Sequence, residues 1–227
     1  MFIGIGNPIP VIANLPGSSR PGGGGGGTFE YTAIDNSYSM KFNGTSSYFD
    51  LGVDLSSFTN ITASMWVRWN SFANAYHYIF SAGTGSTAGG MFSFAKDWTV
   101  PPDANRLYTY DGSTANFTNY VVSIGTWYHI VLTQSGTTQK IYVNGNEISS
   151  FTVGSLKLNN VVYLARLSRV NAYYAPVNID EVAIWNTALS EETIQAIYDT
   201  TANNPGKVAD LTETPEGAPV AWYRMGD

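Results

Sequence analysis

The alternation in ITASMWVRW, residues 61–69, constrains this chain more than any other stretch: Ile61, Ala63, Met65, Val67 and Trp69 share one face, with Thr62, Ser64 and Arg68 on the other. A period of two puts successive side chains on opposite sides of an extended backbone and cannot stripe one face of a helix. A half-buried strand is expected there. In KIYVNGNEI, residues 140–148, Asn144-Gly145 supplies two residues suited to positive φ between two apolar runs, as a type I′ hairpin turn requires. From residue 28 onward, runs of Val, Ile, Tyr, Phe, Trp and Thr recur at short spacing between clusters of Gly, Asn, Asp, Ser and Pro, which implies an all-β sandwich or barrel.

One segment has helix grammar. Ser190 can cap, Glu191 and Glu192 suit the first turn, and Leu189 can staple against Ile194. Ile194, Ile197 and Tyr198 then fall on one face, so a short helix should dock on the sheets.

The head of the chain is different in kind. Arg20-Pro21 leads into Gly22 to Gly27, a run with no side chains to pack. It reads as a flexible linker of roughly 13 Å root-mean-square span. Residues 1–21 then form a separate apolar arm carrying Phe2, Ile3, Ile5, Ile9, Val11, Ile12 and Leu15, a docking peptide by composition, with residues 28–227 as the folded domain. Pro8, Pro10 and Pro16 interrupt the arm and no basic region opens it, so neither an export signal nor a membrane helix is expected.

Charge narrows the partners. Only 12% of the 227 residues are charged, about half the usual share, against 14% aromatic, and the net charge is −6. No run of Lys or Arg is present to neutralise phosphates, so neither nucleic acid nor an anionic membrane is an expected partner. With no cysteine there is no disulfide staple and no thiolate metal site.

Four blocks, YSMKFNGTSSYFDLG (38–52), ITASMWVRW (61–69), GTWYHIVLTQSGTTQKIYVNGNEI (125–148) and IDEVAIWNTALSEETIQAIY (179–198), resemble successive segments of laminin-G-like domains of the concanavalin A-like lectin/glucanase superfamily. The resemblance spans about residues 38–199 and implies an antiparallel two-sheet jelly-roll sandwich. Ala175 and Val177 stand where such domains usually carry a Phe-x-Gly step, and AWYRMGD at 221–227 resembles their opening strand although it lies at the other end. That ending should be ordered against a sheet, its own or a neighbour's. The Gly-rich head and WYRMGD ending also resemble structural proteins of tailed phages. The expectation is a non-enzymatic virion protein, decorating a capsid, tail or fibre in many copies or as a homo-oligomer, docked by its arm on other virion proteins. The alternatives are a cell-surface adhesion or carbohydrate-binding module and a glycoside hydrolase.

The chemistry-bearing residues divide between functional and structural readings. Glycan binding needs exposed aromatic faces beside amides, and Trp98, Tyr108, Tyr110, Tyr173, Tyr174 and Asn171, with Tyr120, Asn105 and Asn116 nearby in type, meet that composition. The same tyrosines could fill strand faces or a subunit contact. Asp97, Asp103 and Asp111 are loop carboxylates suited to calcium at a sandwich rim, or solvated acids. Asp180-Glu181 cannot form a glycosidase pair, because adjacent strand residues face opposite ways. The shift of apolar parity from Ile179 to Val182 instead suggests a β-bulge supported by these acids. Laminarinase-type hydrolases on this fold carry two Glu and an Asp at alternate positions of one strand, and no such triplet occurs here; Asp50 and Asp54 are separated by Gly52. His77 and His129 sit among aromatics, which favours packing over catalysis.

Overall fold

The computed structural model describes residues 4–5, 29–72, 76–97 and 105–225. The long alternating runs become strands β5 (Asn60–Trp69), β10 (Trp127–Ser135), β11 (Thr138–Val143), β12 (Asn146–Thr152) and β14 (Val177–Trp185). Together with the short strands β1 (Gly4–Ile5) and β3 (Met40–Lys41) they form one antiparallel sheet in the order β1-β3-β14-β5-β10-β11-β12, and β16 (Ala221–Tyr223) also pairs with β14. The second sheet runs β4 (Phe49–Asp50), β13 (Val162–Leu164), β6 (His77–Ala82), β7 (Phe92–Lys96), β8 (Arg106–Tyr110), β9 (Ala115–Val121). A two-stranded ribbon, β2 (Ala33–Asp35) with β15 (Lys207–Ala209), completes the strands.

The core lies between the two large sheets. Ile61, Ala63, Met65, Val67 and Trp69 pack with Ile130 and Leu132 from their own sheet and with Phe80, Phe92, Phe94 and Leu164 from the other. Face-to-face sheets with interdigitating apolar faces are the sandwich solution to burying strands of this period. The half-buried expectation for residues 61–69 fails on the other face, because Thr62, Ser64 and Trp66 are buried too. The cover is helix α1 (Glu191–Asn203) with the β2–β15 ribbon: Tyr198 and Val208 pack on Trp66 and Trp127, while Leu189, Ile194 and Ile197 join Tyr142 and Trp185.

Local signals behave as expected. Ser190 Oγ caps α1 by accepting from Thr193 N at 3.2 Å. Asn144 (φ 51°) and Gly145 (φ 81°) form the positive-φ turn between β11 and β12. Where the Phe-x-Gly step is missing, Val177 N donates to Ala175 O at 3.1 Å, a three-residue turn into β14.

The bulge at Asp180-Glu181 is present and organises the far edge of β14. Against β5 the register runs from Asp180↔Trp66 to Ala183↔Ser64, one residue more on the β14 side, and Glu181 sits at φ 50°. On β14's other edge, β3 takes Asn178–Ile179 and β16 takes Val182–Ile184, so the bulge divides two partners. Ala221–Tyr223 of the AWYRMGD segment thus pair with their own sheet, and Gly226 and Asp227 lie outside the described residues. Gly4–Ile5 of the arm adds its backbone beside β3, opposite Lys41 and Met40. Phe2, Ile3, Ile9, Val11, Ile12, Leu15 and the glycine linker lie outside the described residues.

Candidate functional site

The outer face of the second sheet, opposite the core, gathers aromatic side chains in register. Tyr163 pairs with Ser81, Ser81 with Ser93 and Ser93 with Tyr110; the next row runs Tyr78, Ala95, Tyr108, Phe117. Residues 165–175 cross over the middle of this face. Ser168 N donates to Ser81 Oγ at 2.9 Å, Leu167 packs on Tyr78, Ala95 and Tyr108, and Tyr173 O accepts from Tyr78 N at 3.3 Å. The crossing takes part in two aromatic groups.

The first surrounds Tyr108. Its ring lies 5.7 Å from Tyr76, 5.9 Å from Tyr78 and 5.3 Å from Phe117, and Tyr76 is 5.8 Å from Tyr173. Tyr108 is only 2% exposed, while Tyr76, Phe117 and Tyr173 are 36%, 41% and 40% exposed. Tyr108 is therefore a floor and the other three form a rim. Burial pushes the Tyr108 phenol far above its ordinary range and that of Tyr78 to about 12, so both stay neutral hydrogen-bonding groups.

The second group is built on arginine. The Arg166 guanidinium lies 4.3 Å over the Tyr48 ring and 4.4 Å over that of Tyr163. Its Nη1 donates to Asn171 Oδ1 at 3.2 Å, and Tyr174 Oη donates to the same oxygen. Arg169 lies 5.6 Å over Tyr110, with Nη1 3.4 Å from the phenol oxygen.

Of the aromatic set expected from composition, Tyr108, Tyr110, Tyr173, Tyr174 and Asn171 do converge on this one face, and Trp98 lies outside the described residues. Tyr108 offers no free ring face, and Tyr174 and Asn171 hold Arg166 instead. Sequence reading missed Tyr76, Phe117, Tyr48, Tyr163, Arg166 and Arg169. Strand parity alone would have put Phe117 on one face of ANFTNYV, but which tyrosine it meets depends on the β8–β9 register.

The acids do other work. The β7–β8 register, Ser93↔Tyr110 to Lys96↔Leu107, places Asp97 and Asp111 at opposite ends of that pair, so the two do not share an ion. Asp97 is buried 4.0 Å from Arg106. Burial works to raise the Asp111 carboxyl, but N–H bonds from Ser113, Thr114 and Gly154 outweigh it and hold the group below the usual range. Asp103 lies outside the described residues, and among those described no cluster of His, Asp and Glu is placed to hold a metal. Asp50 and Asp54 close their own turns on Gly52 N and Ser56 N.

The histidines lie in different sheets, His77 in β6 and His129 in β10. His129 Nε2 is 2.8 Å from Ser64 Oγ, a pairing that resembles a nucleophile and base. It is sealed under α1, stacked 5.3 Å from Trp66 and 6.4 Å from Tyr198, out of reach of any substrate. Burial pushes its pKa down to about 3. Because the folded value is below the ordinary ~6.5, this neutral histidine contributes stability that is intact above that pH and lost as pH falls toward 3. Replacing it by His129→Gln should remove about 1.4 kcal/mol per pH unit of acid sensitivity in that window, measured by urea unfolding from about pH 7 to about pH 4. Parallel pH profiles for the two proteins would refute this.

Residues 43–195 match the family model of the concanavalin A-like lectin/glucanases superfamily. The chain belongs to that superfamily. No curated protein sequence matches it. Among solved structures it is similar to a heptameric SAP-like pentraxin of Limulus polyphemus, at 16% identity and TM-score 0.59, over 76% of this chain and 91% of that one. Domain 4 of a GH43 extracellular arabinanase from Geobacillus stearothermophilus, solved with arabinotriose, aligns at 21% identity and TM-score 0.55 over 78% of this chain and 82% of that one. A putative carbohydrate binding protein from Bacteroides ovatus aligns at 15% identity and TM-score 0.58, over 88% of this chain and 53% of that one. At these identities the likeness establishes the lectin-like jelly-roll fold, which also serves within sialidase chains.

Proposed function

We propose that this domain is a non-enzymatic polysaccharide binder, displayed in many copies on a virus particle. The observation that carries the binding role is the rim of Tyr76, Phe117 and Tyr173, three exposed aromatic rings from separate segments brought together on a buried tyrosine floor. A grouped exposed apolar surface costs solubility and marks an interaction site, and flat exposed rings suit the apolar faces of sugars. The carbohydrate association of the arabinanase domain and of the Bacteroides protein agrees with this use of the scaffold. The non-enzymatic reading is supported by the acids, which are spent on turns, on Arg106 and on the β14 bulge. The virion assignment is supported by the apolar arm, the glycine linker and the low charge, and detection of the chain in purified particles checks it.

One shallow rim gives weak affinity per domain, so binding depends on copy number. On a glycan array probed with a multivalent form, the triple variant Tyr76→Ala, Phe117→Ala, Tyr173→Ala should lose at least about tenfold in apparent affinity. It should still unfold in one cooperative transition, at a lower temperature because Tyr76 and Phe117 also pack on Tyr108. Full retention of binding by the triple variant overturns the assignment, and release of reducing sugar overturns the non-enzymatic reading.

A further inference from the structure

We infer that the polysaccharide taken by this face is acidic, its carboxylates gripped by Arg166 and Arg169; the inference rests on the glycan-binding reading above. Among the described residues Arg106, Lys140, Lys207 and Arg224 pair with acids, while Arg68, Lys96, Arg166 and Arg169 lie against aromatic rings. Arg166 and Arg169 have no carboxylate within ion-pair distance among the described residues. They are held by neutral groups instead: aromatic rings on one side, Leu167 O, Asn171 and the Tyr110 phenol on the other. Asp50, the cross-strand neighbour of Tyr163, turns its Oδ1 to Gly52 N at 3.0 Å rather than to the guanidinium.

This support fixes the plane of Arg166 before any ligand arrives. Its Nε and Nη1 are used on Leu167 O and Asn171, which leaves the Nη2 amino group without a bond among the described residues. A stacked, oriented guanidinium loses less entropy on meeting a carboxylate than a free side chain would, and it is weakly hydrated. The aromatic partners of the two arginines, Tyr163 and Tyr110, stand three strands apart in one lateral row, roughly 14 Å at the usual strand spacing. Each guanidinium is seated on a different ring of that row. The two suit successive acidic residues of one polymer, which binds across the face in place of a single sugar.

The test uses the full chain in multivalent form against polygalacturonate, the same polymer after carboxyl reduction, and a sulfated polysaccharide. The wild type should bind polygalacturonate at least about tenfold more tightly than the reduced polymer, with the difference fading at high salt. Arg169→Gln, at an exposed position, and Arg166→Gln should each erase that preference while keeping whatever binding the reduced polymer shows. If Arg166→Gln fails to fold, Arg169→Gln decides alone. Equal binding to both polymers, or a preference surviving Arg169→Gln, overturns the acidic assignment and leaves the glycan reading standing. Tighter binding of the sulfated polymer assigns the arginines to sulfate and overturns the carboxylate. Failure of the wild type to bind any polysaccharide defeats the glycan reading itself and this inference with it.

Discussion

A chain ending at Pro215 is expected to lose its cooperative thermal transition and to aggregate. The twelve residues removed look like a tail, yet they finish structures begun elsewhere. Glu216 accepts from Ser190 N at 3.0 Å and from Thr193 Oγ1 at 2.9 Å, steadying the N-terminus of α1. Gly217 O accepts from the buried Trp185 indole at 3.1 Å, and Val220 N donates to Ile184 O at 2.8 Å. Strand β16 then pairs with Val182–Ile184, and Tyr223 Oη donates to Leu51 O across the edge of the sandwich. Each buried polar partner left without its bond costs about 1–3 kcal/mol, so losing several together approaches the 5–15 kcal/mol that hold a typical domain. Calorimetry and the soluble fraction after expression measure the effect. A soluble truncated chain melting within a few degrees of the full one would show that β16 is dispensable.

Glu181→Ala is expected to cost about 3–5 kcal/mol, the largest effect of any single substitution named here. Glu181 is buried at the β14 bulge and accepts from Trp222 Nε1 at 2.7 Å, Asn36 Nδ2 at 3.2 Å and Arg224 Nε at 3.3 Å. One carboxylate therefore ties β14 to the C-terminal strand and to the segment after β2. Removing it leaves the Trp222 indole N–H without that acceptor and takes the facing carboxylate from Arg224, whose Nη2 keeps its bond to Asp35 O. Glu181→Gln retains an acceptor for Trp222 and should cost less. Because the carboxylate and the indole act on each other, Glu181→Ala combined with Trp222→Phe should cost less than the sum of the two single changes. Chemical unfolding of the four proteins in that cycle measures the coupling; strict additivity would show that the bond carries no stability.

The bulge itself was legible in the sequence, since the apolar parity breaks between Ile179 and Val182. Its purpose was not, because the three donors that meet Glu181 come from residues 36, 222 and 224. The aromatic face divides the same way. Composition pointed to Tyr108, Tyr110, Tyr173, Tyr174 and Asn171, and they do meet, but composition could not say that Tyr108 would be floor and Tyr76 and Phe117 rim, or that Asn171 and Tyr174 would position an arginine.

What the sequence determined by itself is whatever a few neighbouring residues decide. The period of two in residues 61–69, the positive-φ pair Asn144-Gly145 and the cap at Ser190 depend on backbone sterics and bonds spanning a handful of residues, which no distant partner needs to supply. The tertiary structure decided which face is covered by what. The outer side of β5 is buried because α1 and the β2–β15 ribbon pack over it, Asp97 and Asp111 are kept apart by the β7–β8 register, and Arg166 meets Tyr48 only because β4 and β13 lie side by side. Register and docking are set by summed burial over long-range pairs, and no local pattern carries that information.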